Sequence, residues 1–539
     1  MKYINKILKD LRIIYPVSLI LLSTIPLLVG AFIDYDLVDS REFVIHLAWI
    51  PLFSITSFYL RKRFILQFAN LIYFIVGFIE ISHWVILKGP ISVTSILVIS
   101  NTNTQEAFDF FDLKATYGLL ILIPFTIVYI LSVRQKNKPL NSQLNPYVVL
   151  AIILFAVAFI TENTVNGRLV RKGIPHFAQV SISFYEKFNL YREARKETKV
   201  KRVEAKLPDM DKSQTFVLIL GESCNRNHMS LYGYSKKTTP KLANRKDLIV
   251  FDNVVSPYSN TLSSVLTILS ESNLENNIEI TKGIDIIDMF SAAGFKTYWL
   301  SNQSPIGIWD NLVTVFGNKS DSKKFVNLSS NSSFEATYTP SYDAKLFEPF
   351  AKALQEKYKR KFIIIHLMGN HSSYSKRYPS EFDVFYGNDH KSNTIAEYDN
   401  AIIYNDFVVD SLLKILQLNN STNNDMLSSA IYLSDHGENV YDELDRVGHD
   451  YSKILPKSNV EIPFIVWLSK SYRKEFEDKS TIIESNIHKP FVSDDLFHAI
   501  LDLNNINSPI LDKQRSIFSK MFNDKRKRFL EDKNDYDVD

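Results

Sequence analysis

The chain is poor in cysteine. Of its 539 residues only Cys224 carries a thiol, so an intrachain disulfide and a cysteine-built zinc site are both excluded. An exported domain in this chain must be held together by its core alone. Net charge is also scarce, because 62 Lys and Arg against 59 Asp and Glu leave a formal +3, too little to argue for a nucleic-acid partner. No internal repeat or low-complexity tract stands out. The most informative deficit is local. Ile13 to Ile33, Phe43 to Leu60, Phe64 to Ile79, Ala115 to Val133 and Pro146 to Thr161 contain no Asp, Glu, Lys or Arg, and each run approaches the roughly 20 residues that cross a hydrocarbon core.

Five transmembrane helices are therefore expected within residues 1–165. The first run exceeds the roughly 7 to 15 apolar residues of a signal peptide and lacks a clear cleavage site, which makes it a retained span. Lys and Arg accumulate on the cytoplasmic side. Lys2, Lys6, Lys9 and Arg12 precede the first run, Arg61, Lys62 and Arg63 follow the second, and Arg134, Lys136 and Lys138 follow the fourth. The alternate connections hold Asp34, Asp36, Asp39 and Glu42, then Glu106, Asp109 and Asp112. The N-terminus is thus expected in the cytoplasm and everything after Thr161 outside it. Glu80 and His83, three apart near the end of the third run, can share a helix face; so close to the interface, a structural role is favoured over an intramembrane functional one.

Residues 166–214 form a distinct stretch. Phe184, Tyr185, Phe188 and Tyr191 stand beside Arg192, Arg195 and Lys196, which suits either a helix in the headgroup layer or a solvated connecting helix. A linker follows from Pro208 to Gln214. From residue 215 to 539 the pattern changes to short apolar runs bounded by polar turns. Residues 216–220, 297–300, 362–366, 430–433 and 463–468 read as strands, and 283–293, 343–358 and 396–417 as helices. Nearly continuous apolar strands are buried on both faces, as in a parallel sheet covered by helices, so an α/β sandwich is expected here.

Ligand-binding groups in open α/β sheets collect beyond the carboxyl ends of strands. "GES" at 221–223, "HLMGNH" at 366–371 and "SDHGEN" at 434–439 stand there, and "VGHDYSKILPKSNVEIPF" from 447 adds His449. Glu222, Asp435, His436, His371 and His449 offer the oxygen and imidazole donors that suit zinc or manganese. Gly437 allows the sharp turn that would let Asp435 and His436 serve one ion. Singly, each is more simply a turn former or a helix cap; their recurrence at successive strand ends is what argues for a site. In "SPYSNTLSSVLTILSES" (256–272), Ser259, Thr261, Ser263 and Ser264 are candidate nucleophiles at a helix start, where backbone N–H groups favour a phosphate. Pattern alone does not choose among them, and an N-capping cluster would look the same.

"GESCNRNHMSLYGYSKKTTPKL", "HLMGNHSSYSKRYP", "YLSDHGEN" and "SDDLFHAIL" after five spans resemble the phosphoethanolamine transferases of the sulfatase and alkaline-phosphatase superfamily, which modify lipopolysaccharide. The resemblance covers nearly the whole chain. It implies an alkaline-phosphatase-like periplasmic domain on a multi-pass inner-membrane anchor, with zinc held by Glu222, Thr261, Asp435 and His436 and Thr261 as the nucleophile. It further implies that His371 and His449 bind the phosphoryl group or a second zinc, and that Asn302 and Gln303 lie in a substrate-binding segment. The donor would be phosphatidylethanolamine and the acceptor lipid A, a core sugar or another envelope glycan. An added ethanolamine cation would weaken the attraction of that surface for cationic antimicrobial peptides. Well-studied lipid A modifiers of the family carry several disulfides in this domain, so a chain with one cysteine looks more like the cysteine-poor branch. Rival readings are a phosphoglycerol transferase, a sulfatase and a non-catalytic membrane sensor or scaffold. A sulfatase would attack through a C/S-x-P-x-R motif, whereas Cys224 lies in "SCNRNH".

Overall fold

The computed structural model describes residues 11–33, 64–87 and 119–133 of the N-terminal region, with isolated positions between and after them. From 200 to 538 it describes all but 209–211, 280–281, 304–312, 328–339, 373, 422–424 and 450–454. Apart from single positions, the expected second and fifth spans and the aromatic-basic segment at 184–196 lie outside the described residues, as do the acidic connections.

Two units make up the chain. In the N-terminal one, α1 (Leu11–Ile33), α2 (Phe64–Leu87) and α3 (Leu122–Val133) pack on one another. Glycine lets them approach, because a Cβ on Gly30 would lie 2.7 Å from the Trp84 ring and one on Gly77 2.6 Å from Phe125. Small residues at such crossings are how apolar helices gain contact when lipid supplies no hydrophobic driving force. Ser18 Oγ donates to Asn70 Oδ1 at 2.9 Å between α1 and α2. Among the described residues one helix, Phe64–Val85, is long and apolar enough to cross a membrane, and Val17–Ile33 and Leu122–Val133 are shorter apolar helices. Glu80 and His83 are both buried.

The second unit is built on seven strands: β1 (Gln214–Gly221), β2 (Leu248–Phe251), β3 (Lys296–Ser301), β4 (Ser322–Phe325), β5 (Arg360–His366), β6 (Leu427–Ser434) and β7 (Phe464–Leu468). Their order across the sheet is β2-β7-β6-β1-β5-β3-β4. β1 lies between β5 and β6, parallel to both, and β3 and β4 continue the parallel set. The parallel arrangement expected for the continuous apolar runs holds for β1 and β5, while β7 runs antiparallel to both β6 and β2. Helices that accompany the sheet include α4 (Thr261–Ile268), α5 (Ile286–Ala292), α6 (Phe347–Gln355), α7 (His390–Ser421) and α8 (Leu496–Leu503). The helix expected over 343–358 divides, with a 3-10 turn at Asp343–Leu346 before α6.

Alternation explains why β1 is apolar at every position from Phe216 to Leu220. Val217 and Ile219 join a core with Tyr398, Ile402 and Val409 of α7. On the other face Phe216 stacks at 5.7 Å on Phe290 of α5 and at 5.3 Å on Phe362 of β5. Each such side chain contributes roughly 1.5–3 kcal/mol by leaving water, so the central strand is anchored from both sides. That rigidity reaches the sheet edge where the polar clusters begin.

Candidate active site

Strand register makes neighbours of three loops. Leu220 pairs with His366 and Gly221 with Ser434, so Glu222, Leu367 and Asp435 leave the sheet side by side. Backbone bonds extend the match beyond the strands: Asp435 N–H donates to Gly221 O at 3.1 Å, Leu367 N–H to Leu220 O at 2.9 Å and Asn370 N–H to Glu222 O at 2.9 Å.

The chain turns sharply there. Ser223 has φ +54°, a left-handed conformation that costs a non-glycine residue on the order of 1–3 kcal/mol unless its surroundings enforce it. Here they do. Ser223 N–H donates to Asp435 Oδ1 at 3.1 Å, its hydroxyl to Glu222 Oε1 at 2.9 Å, and its carbonyl accepts from the Tyr398 hydroxyl at 2.7 Å. Gly369 also has φ +54°, and a Cβ on it would sit 2.7 Å from Glu222 O. At Gly437 a Cβ would sit 2.1 Å from Ser458 O. Only glycine fits in either place.

These turns gather Glu222, Asp435 and His436, all buried, with one ligand atom from each lying within 4.8 Å of the others. Thr261, at the first turn of α4, points its hydroxyl into the group: Oγ1 is 3.0 and 3.2 Å from the two Glu222 oxygens and 3.3 Å from His436 Nε2. The structure thereby separates the four hydroxyls that sequence leaves equivalent. Asn260 caps α4 by accepting from Ser263 N–H, Ser259 Oγ donates to Glu531 at 2.7 Å, and Ser264 Oγ donates to Tyr258 O at 3.2 Å. Thr261 alone of these bonds to the cluster.

The donor set fits a metal ion. His436 Nδ1 meets Gly437 O at 2.6 Å; as the donor in that contact it leaves the Nε2 lone pair free for the cluster. Asp435 Oδ1 accepts from Ser223 and His436 N–H, while its Oδ2 is buried without a hydrogen-bond partner. A carboxylate oxygen in that state is costly, and a cation satisfies it. Two carboxylates, one imidazole and one hydroxyl oxygen suit four-coordinate zinc. Without a cation the carboxylates strain against each other. Burial, then the Glu222 charge, push Asp435 well above the usual carboxylate range. Burial also works to raise Glu222, but bonding to His436 and the charges of His436 and His371 hold it well below that range. Burial opposes protonation of His436, and the neighbouring carboxylates outweigh it, pushing the imidazole up to about 10.

His449 stands beside this cluster, its ring centroid 4.6 Å from that of His436. Its Nδ1 meets Glu438 Oε2 at 2.9 Å, and Glu438 Oε1 accepts from the Tyr374 hydroxyl at 2.8 Å. His436, Glu438 and His449 form a second group of ligand atoms within 4.8 Å of one another. Sequence reasoning missed Glu438, although it lies inside the quoted "SDHGEN"; its partner is eleven residues further on. His371 is near enough for its charge to act on Glu222, and its Nδ1 is 3.3 Å from Ser372 Oγ.

Residues 214–506 match the family model described as Sulfatase. The chain belongs to the sulfatase family. Its relatives include phosphoethanolamine transferase EptC of Escherichia coli K12, 28% identical over 511 residues, which span 88% of this chain and 85% of that protein. EptA of Helicobacter pylori is 27% identical over 75% of each. Among solved structures, the C-terminal periplasmic domain of E. coli EptC in complex with Zn superposes with a TM-score of 0.56 at 28% identity, covering 62% of this chain and 96% of that one. The integral membrane protein EptA of Neisseria meningitidis shares the fold along nearly the whole length, with a TM-score of 0.63 at 18% identity over 94% of this chain and 97% of that one.

Other residues singled out from the sequence serve the frame of the sulfatase domain. Asn302 is buried, its amide donating to Ser341 O at 2.9 Å and to Asp343 Oδ1 at 2.8 Å. Asp343 in turn accepts from Met368 and Gly369 N–H, and Gln303 Nε2 donates to Leu367 O at 3.0 Å. Both amides thus brace the loop that carries His371. The "MSLYGYSKKTT" stretch is also a brace. Thr238 and Thr239 hydroxyls accept from Ser230 and Leu231 N–H at 2.9 and 2.8 Å, and Lys236 pairs with buried Asp399 at 2.7 Å. Cys224 is fully buried, and burial pushes its thiol up to about 12, so this member of the sulfatase family has no cysteine fit to attack a substrate.

Proposed function

We propose that the chain is a metal-dependent phosphoethanolamine transferase that moves the headgroup of phosphatidylethanolamine to lipopolysaccharide, at lipid A or a core sugar, through a phosphothreonine at Thr261. One observation carries the reading: the Thr261 hydroxyl stands 3.0 Å from Glu222 and 3.3 Å from His436 beside a buried Asp435 oxygen that has no hydrogen-bond partner. The names of the relatives over 88% of the chain, and the zinc complex of one of them, point the same way. Glu222, Asp435, His436 and Thr261 would hold zinc, with manganese as the alternative. A bound ion there supplies charge that lowers the pKa of the hydroxyl and offsets charge on the phosphoryl oxygens.

The residues of the chain divide the rest of the work. Glu222 accepts from the Thr261 hydroxyl and holds Oγ1 toward the donor. In the first half-reaction the Thr261 Oγ1–P bond forms, the P–O bond to diacylglycerol breaks, and the hydroxyl proton passes to the departing oxygen. His371 and His449 bind the phosphoryl oxygens, with Glu438 fixing the His449 ring. Asn302 and Gln303 act on the substrate side through the loop they brace. In the second half-reaction an acceptor hydroxyl or phosphate oxygen bonds to phosphorus, and Thr261 regains a proton as its ester breaks. Positioning and electrostatic stabilisation supply most of the rate in such transfers.

Residues 1–165 would anchor the enzyme by five spans in the inner membrane with the N-terminus in the cytoplasm. Residues 166–214 would connect them to a periplasmic catalytic domain at 215–539. A donor with two acyl chains stays in the bilayer, which gives the anchor its purpose. Incubation with headgroup-labelled phosphatidylethanolamine followed by peptide mass spectrometry tests the proposal. Label is expected on Thr261 and absent from Thr261→Ala; label elsewhere, or retained in the variant, would overturn it.

A further inference from the structure

The family match ends at residue 506, yet the chain beyond it returns to the loop that precedes the nucleophile. Residues 528–537 close on themselves: Tyr536 N–H donates to Arg528 O at 3.0 Å, Arg528 pairs with Asp537, and its guanidinium lies 4.4 Å from the Tyr536 ring centroid. Arg528 Nη1 also donates to Asn253 Oδ1 at 2.7 Å, which ties this closed segment to the sulfatase domain.

At its tip, Glu531 makes three bonds to the segment before α4. Its N–H donates to Pro257 O at 2.9 Å, and its Oε1 accepts from Ser259 N–H at 2.8 Å and Ser259 Oγ at 2.7 Å. Ser259 is fully buried and lies two residues before Thr261. From inside, the same segment is held by Ser256 Oγ, which donates to Tyr258 O at 2.9 Å, and by Ser256 N–H, which donates to Val460 O at 2.8 Å. Glu531 supplies the restraint from the other side. A charged acceptor shared by two donors is among the stronger hydrogen-bonding arrangements, and its direction fixes the backbone that leads into Asn260 and Thr261.

We propose that the C-terminal segment is a strap and that Glu531 is a positioning residue for the Thr261 nucleophile. It touches neither the cluster nor a substrate; it sets where the Thr261 oxygen points. The inference rests on Thr261 being the nucleophile. Displacing a reacting atom by about 1 Å can cost on the order of 100-fold in rate, so losing the Glu531 anchor should lower kcat while leaving donor binding intact.

The test uses the full chain in detergent with zinc, comparing wild type, Glu531→Ala, Glu531→Gln and Ser259→Ala. Wild-type labelling of Thr261 by phosphatidylethanolamine reads the donor assignment. Turnover of a chromogenic phosphodiester reads the hydroxyl whatever its natural donor, so the two ideas fail separately. Glu531→Ala is expected to lose about 10- to 100-fold in kcat with KM within about twofold and zinc content unchanged. Glu531→Gln, which keeps an oxygen for Ser259, should recover most of the rate, and Ser259→Ala should fall between. If Glu531→Ala misfolds, Ser259→Ala and Glu531→Gln carry the comparison. Wild-type kcat in Ser259→Ala and Glu531→Ala, a loss confined to KM, or a Gln variant as slow as Ala would overturn the strap.

Discussion

Replacing Asp435 with Asn keeps the shape of the side chain and removes the charge that crowds Glu222. The Asp435 oxygen without a hydrogen bond and the raised carboxyl pKa mean that the ion-free site is under electrostatic strain. A cation relieves that strain only in the folded state. At free zinc about 100-fold above its dissociation constant, binding adds about 2.7 kcal/mol to stability. An unfolding entropy of about 2.1 cal/mol/K per residue gives roughly 0.6 kcal/mol/K for the sulfatase domain at 214–506, so its midpoint should rise by about 4 °C. Thermal melting of the full-length protein after chelation, with and without added zinc, measures this. Chelated Asp435→Asn should melt at or above chelated wild type, because a like-charge contact has gone, and should show no zinc shift. An equal shift in both proteins, or none in wild type at saturating zinc, would refute the assignment of Asp435 to the ion.

Three further outcomes follow from other sites. His228 bonds Asp399 and Asp442 at 2.8 and 3.0 Å; burial opposes its protonation, and those bonds raise its pKa from 6.5 to about 9. A raised folded-state value stabilises fully below about pH 6.5 and is lost as pH climbs through 9, a contribution on the order of 3 kcal/mol. Denaturant midpoints should therefore fall between pH 7 and 9.5 in wild type, and start lower but stay flat over that range in His228→Gln. Gly437→Ala puts a methyl group where Ser458 O lies 2.1 Å away; it should lose zinc stoichiometry by elemental analysis together with transfer activity, at a stability cost of about 1–3 kcal/mol. Cys224, buried with its thiol pushed up to about 12, should resist thiol reagents in the native protein and react only on unfolding, and Cys224→Ser should retain transfer.

The strands that carry the site were legible because burial on two faces leaves a continuous apolar run, as in Phe216 to Leu220. Edge strands leave no such mark. Ser322–Phe325 exposes Lys323 and Lys324, and Leu248–Phe251 is only alternately buried, so neither stands out from a loop. The reversed direction of Phe464–Leu468 was not legible either, since an apolar run reports burial and says nothing of polarity. Glu222, Asp435 and His436 could be named because strand ends are predictable places. Pattern alone left Thr261, Ser259 and Ser264 equivalent and only the family resemblance singled out Thr261; which hydroxyl the start of α4 turns toward the cluster is a three-dimensional fact. Glu438 depended on His449 folding back over it. The most distinctive run of letters, around Tyr232 and Thr239, sits in a network of hydroxyl and charge contacts that those residues build.

The tight seating of Gly369 against Glu222 and of Gly437 against Ser458 constrains how enzymes of this kind can be recombined. A chimera that imports one of these loops from a relative brings a backbone path shaped against neighbours it has left behind, and a residue with a Cβ at either glycine position would meet main-chain oxygen at once. Loops 221–226, 366–371, 434–439 and 456–460 therefore form one exchangeable block, and specificity engineering has more freedom in segments that do not interlock with it.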